Sequence, residues 1–146
     1  LDALRDFLLK AGLKPEEFSF HDGSGLSRWD LVSPAATVRL LQYAAAQPWG
    51  FKYMETLPVG GEDGSLAGRY HNAAAQGRIH AKSGSMEHVN TLSGYAEQPD
   101  GKTLVFSIMV NNHDVSESTA LSAIDQIVEA LFPPAAPKRR ATKKPH

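Results

Sequence analysis

The 146-residue sequence contains no cysteine, which excludes disulfides and thiolate chemistry. That absence fits either a reducing compartment or a bacterial envelope protein that does without bridges. No run of about eighteen apolar residues occurs, so no segment reads as a membrane span. There is no glycine-rich phosphate loop and no Gly-x-Ser-x-Gly nucleophile elbow, which argues against a nucleotide fold and an α/β hydrolase. His71 and His80 lack the i, i+4 spacing of a helical zinc pair, so neither a metal nor another cofactor is expected. Acid-free positive charge is confined to the end. Residues 133–146 carry Lys138, Arg139, Arg140, Lys143 and Lys144, leaving ten Lys and Arg against sixteen Asp and Glu in residues 1–132. Without interleaved aromatics this cluster does not suggest nucleic acid.

What is present reads as one modest core of single-domain size. Leu1, Leu4, Leu8 and Ala11 recur at helical spacing up to Gly12, predicting a helix over 1–12. Lys14 to Glu17 reads as a turn and Phe18 to Phe20 as a short extended piece. Ser33-Pro34 is an N-cap with proline in the first turn, and Val38, Leu41 and Ala45 give one face of a helix over 34–47. Phe51 to Thr56 reads as a further helical turn. Asn90–Glu97 and Thr103–Asn111 read as strands joined by the turn Gln98-Pro99-Asp100-Gly101-Lys102. The nearly continuous apolar run Leu104 to Val110 predicts a central strand covered on both faces. Asp114 with Glu117 reads as a capping box opening a helix over 114–132, ended by Pro133-Pro134. Residues 133–146 are too poor in apolar side chains to order themselves and read as a basic disordered tail.

The stretch with a chemical rather than a packing character is His80-Ala81-Lys82-Ser83-Gly84-Ser85-Met86. Alternation places Ile79 and Ala81 on one face and Arg78, His80 and Lys82 on the other, so Lys82 points away from the packed side at the end of a strand. Gly84 permits close approach of another backbone, and Ser83 and Ser85 bring hydroxyls that donate and accept. Upstream, Asp22-Gly23-Ser24-Gly25-Leu26-Ser27-Arg28 is a loop by composition. Its Asp22 carboxylate is suited to accept backbone hydrogen bonds, and Arg28 could pair with a carboxylate or be a solvated surface arginine. Tyr70-His71-Asn72, a Tyr-x-Asn triplet only ten residues before Lys82, reads as coincidence.

These segments, with Leu57 to Leu66 and Phe106 to Asn112, follow one another in an order that resembles the C-terminal part of the D-alanyl-D-alanine carboxypeptidase/endopeptidase family, the low-molecular-mass class C penicillin-binding proteins. The resemblance covers residues 1–132. It implies an α/β fold, a mostly antiparallel sheet flanked by the helices over 1–12, 34–47 and 114–132, as the C-terminal portion of a transpeptidase-like domain. It implies that Lys82 attracts the terminal carboxylate of the substrate and that Ser83 hydrogen-bonds it. Gly84 would let a peptide lie along the strand edge, and the Ser85 N–H would enter an oxyanion hole. Leu26, Arg28 and Met86 would line a pocket for the substrate side chain. The family also uses Ser-x-x-Lys and Ser-x-Asn, and neither occurs here. Together with the absence of a starting Met, this suggests a piece of a longer protein that supplies Lys-Ser-Gly but not the nucleophile and is inactive alone.

The partners so implied are the peptidoglycan stem peptide, β-lactams, and the missing N-terminal half of the same protein, in the periplasm or another extracytoplasmic part of the envelope. An uncovered sheet edge leaves homo-oligomer formation open as well. The rival reading is a noncatalytic module that binds peptidoglycan peptides with the same fold.

Overall fold

The computed structural model describes residues 1–72 and 74–132. The basic tail therefore lies outside the described residues. A three-stranded antiparallel sheet forms the centre, with β3 (Ile79–Met86), β4 (Val89–Glu97) and β5 (Thr103–Asn111) in that order. Helix α4 (Glu117–Glu129) covers one face: Ile124 and Val128 meet Ile79, Ala81, Leu92 and Ala96, all six fully buried. Helix α2 (Pro34–Ala45) lies on the other face, where the buried Tyr95 hydroxyl donates to the Leu41 carbonyl at 2.7 Å.

A smaller cluster sits beside this sandwich. Helix α1 (Asp2–Lys10) packs Leu8 with Ala11, Leu13, Phe18 and Ala36, next to a two-stranded sheet of β1 (Phe18–Ser19) and β2 (Leu31–Val32). The short helix α3 (Gly50–Glu55) follows α2.

Local chemistry accounts for most boundaries. Ser33 caps α2, its Oγ accepting from the Ala36 N–H at 3.1 Å, with Pro34 in the first turn. Gly12, at φ 91°, carries the chain out of α1 in the left-handed region.

The structure corrects three expectations. The cap of α4 is Ser116, which accepts from the Thr119 N–H at 3.2 Å, and Glu117 is already helical, so Asp114 lies outside the cap. The central strand is β4, and the apolar run of β5 forms an outer strand. Two consecutive hairpins put the middle strand of a meander at the centre whatever the hydropathy of its neighbours. Helix α1 does not flank the main sheet but joins α2 and the β1–β2 pair, which leaves Leu1 and Leu4 exposed. The Lys82 motif lies at the end of a strand as expected, with strand geometry continuing to Met86.

Candidate active site

Strand β3 is the outer strand on one side of the sheet, and only its first half is covered. Residues 57–60 return along it, with Gly60 N–H bonded to Ile79 O at 2.8 Å and Ala81 N–H to Pro58 O at 3.0 Å. In an antiparallel strand the N–H and C=O of one residue point to the same side and alternate along the chain. The outward bonds of Ile79 and Ala81 therefore direct the backbone groups of Ser83 and Ser85 outwards too. Among the described residues, no segment pairs with that stretch of edge.

Side chains alternate across the sheet. Lys82 is exposed on the α2 side, its Nζ donating to the Ser83 carbonyl at 2.9 Å. Ser83 and Ser85 face the α4 side. Ser83 Oγ meets Ser65 Oγ at 3.0 Å on the turn Gly64–Leu66, and Ser85 Oγ accepts from Asn90 Nδ2 at 3.0 Å. Gly84 has a role inside the sheet as well: a Cβ there would lie 2.7 Å from Thr91 Oγ1.

A cavity of about 270 Å³ opens beside the β3–β4 turn, lined among others by Ser27, Arg28, Met86, Asn111 and Asn112. The fold thus brings together Arg28 and Met86, 58 positions apart in the numbering. Arg28 is exposed and pairs with Glu87 on the turn at 3.1 Å. Leu26 is not brought to this cavity and stands 73% exposed on the same loop. Asp22 closes that loop on itself, accepting from the Ser24 N–H at 2.8 Å and the Ser24 hydroxyl at 2.7 Å. These bonds, that of the Ser24 hydroxyl foremost, hold its carboxyl below the usual range. Tyr70 of the Tyr-x-Asn triplet is a core residue, and burial pushes its phenol well above the ordinary value.

Sequence reasoning missed Ser65, Glu87, Asn90 and His113. Of these, Asn90 carried a readable signal, since it interrupts an inward-facing row continued by Leu92 and Ala96.

This antiparallel sheet between two helices has the α/β fold of penicillin-binding proteins and β-lactamases. The chain belongs to the D-Ala-D-Ala carboxypeptidase 3 (S13) family, whose model matches residues 1–131. It is 40% identical over 118 residues to a D-alanyl-D-alanine carboxypeptidase of an Actinomadura species, covering 77% of this chain and 22% of that protein. The crystal structure of penicillin binding protein 4 from Haemophilus influenzae superposes with a TM-score of 0.71 at 31% identity, over 79% of this chain and 26% of that one. A penicillin G-acylated predatory endopeptidase of Bdellovibrio bacteriovorus gives a TM-score of 0.70 over 90% of this chain and 38% of that one. At its 19% identity that likeness is one of fold. The chain spans about a quarter of the length of the first two.

Proposed function

We propose that residues 1–132 form the C-terminal portion of the transpeptidase-like domain of a serine D-Ala-D-Ala carboxypeptidase/endopeptidase acting on peptidoglycan stem peptides in the periplasm or cell envelope. The observation that carries this reading is the open half of β3, where the Ser85 N–H points out of the sheet immediately beyond Lys82, Ser83 and Gly84.

A serine outside this chain attacks the carbonyl between the two D-alanines. The Ser85 N–H, beside the nucleophile's own, stabilises the oxyanion, a donor worth about 3 kcal/mol in such sites. As the C–N bond breaks, D-alanine leaves with a proton on its amine, and water then hydrolyses the acyl-enzyme. Lys82, cationic and exposed, attracts the substrate's terminal carboxylate and assists proton transfer, while Ser83 hydrogen-bonds that carboxylate. The peptide lies along the edge past Gly84 as an added strand. Arg28 and Met86 receive its side chain, with Leu26 at the rim. A diaminopimelate carboxylate there competes with Glu87 for Arg28. β-Lactams acylate the same serine.

The test is intact mass after incubation with a penicillin, on residues 1–146 and on the full-length protein. One adduct on the full-length protein and none on this chain is expected. A stoichiometric adduct on this chain alone would make one of its own serines the nucleophile. No adduct on either would favour the noncatalytic peptide-binding module.

A further inference from the structure

The buried core beneath β3 stops at Ala81. Further along, on the α4 side of Ser85, lies a cavity of about 380 Å³ whose walls include Ser85, Asn90, His113 and Glu117. What holds the end of the strand over this gap is polar. Asn90 is 1% exposed, in the inward-facing row of β4 that continues with Leu92 and Ala96, and an amide buried there is costly unless its groups are satisfied. Its Nδ2 donates to Ser85 Oγ at 3.0 Å and lies 3.5 Å from Glu117 Oε1, and its Oδ1 meets His113 Nε2 at 2.8 Å. With Nε2 protonated, the ring donates to Oδ1 and fixes which end of the amide faces Ser85. His113 is itself tied down through its backbone, its carbonyl lying 2.8 Å from His88 Nδ1 on the β3–β4 turn.

We infer that Asn90, oriented by His113, is a positioning residue that fixes the backbone at Ser85 and hence the direction of the Ser85 N–H at the open edge. A leucine at 90 would keep the side-chain volume but make none of these bonds. It would leave Ser85 Oγ without its partner and the end of β3 held only by its ladder to β4. The inference rests on the reading of Ser85 as an oxyanion donor and extends it to two residues that touch no substrate.

The experiment uses the full-length protein and a chromogenic cephalosporin, separating noncovalent binding from the acylation step. Asn90→Leu and His113→Ala should each slow acylation about tenfold, the order expected of a misplaced donor, with the dissociation constant changed less than about twofold. His113→Gln, which keeps an N–H donor for Asn90 Oδ1, should recover most of the rate. If Asn90→Leu does not fold, the His113 pair carries the same test. Folded variants that acylate at the wild-type rate, a loss confined to binding, or a glutamine no better than alanine would each overturn the inference. Should the wild-type protein not acylate at all, the functional reading fails, and amide exchange decides separately. Asn90→Leu is then expected to speed exchange in residues 82–90 while α2 is unchanged, and unchanged exchange at Ser85 would refute the positioning role.

Discussion

Gly84 on β3 and Thr91 on β4 are paired so closely that Thr91 Oγ1 occupies the space a Cβ on residue 84 would need, 2.7 Å from it. A side chain at 84 would therefore have to displace the Thr91 hydroxyl, before any substrate approaches the edge. Gly84→Ala should destabilise the protein by about 1–2 kcal/mol through overpacking. Combining it with Thr91→Ala should recover most of the loss. Thermal melts of the two single variants and the double variant measure this, and additive losses would contradict it.

Lys82 is exposed, and among the described residues its Nζ bonds to the neighbouring Ser83 carbonyl, so little stability depends on it and the chemical role proposed for it can be tested by its removal. In the full-length protein Lys82→Ala should leave the melting temperature unchanged and slow penicillin acylation by about a hundredfold, the scale of losing one electrostatic partner of the transition state.

The Arg28–Glu87 pair is exposed on both sides and contributes little to stability. Arg28→Ala should melt with the wild type. It should lower kcat/KM for stem peptides with a free side-chain carboxylate about tenfold relative to lysine-type peptides. A variant that kept the wild-type preference would remove Arg28 from the pocket.

Arg69 reaches from the loop before β3 to Asp125 on α4, its Nε at 2.9 Å from Oδ1, with both side chains mostly buried. Asp125→Ala should cost about 2 kcal/mol, because it strands a desolvated guanidinium. Asp125→Asn, retaining an acceptor, should cost less in the same denaturant titration.

Burial raises the Tyr95 phenol from its ordinary value of 10 to about 12. The native state thus holds its proton where the unfolded chain has lost it. The contribution is complete below pH 10 and is lost as pH rises from there towards 12. Tyr95→Phe should flatten that part of the stability curve, though not abolish it, since Tyr70 is shifted the same way. At neutral pH it should cost about 1 kcal/mol for the bond to Leu41 O.

Much was legible in the linear order because its causes are local. Ser33-Pro34 starts α2 through a cap three residues long, Gly12 stops α1, and the period-two row ending in Lys82 sets which side chains share a face. The Asp22 loop closes on its own serine, two positions away. Such features depend on neighbours a few residues apart, whose geometry the backbone fixes by itself.

Strand order, the true cap of α4 and the companions of the Lys82 motif were settled by tertiary structure. Hydropathy marks β5 as buried but cannot say that β4 lies between it and β3, because order follows from how hairpins stack. Arg28 meets Glu87 across 59 positions, and His113 meets Asn90 across 23. No local period encodes such distances. They exist only once α2 and α4 have clamped the sheet from its two faces and left the second half of one edge strand bare.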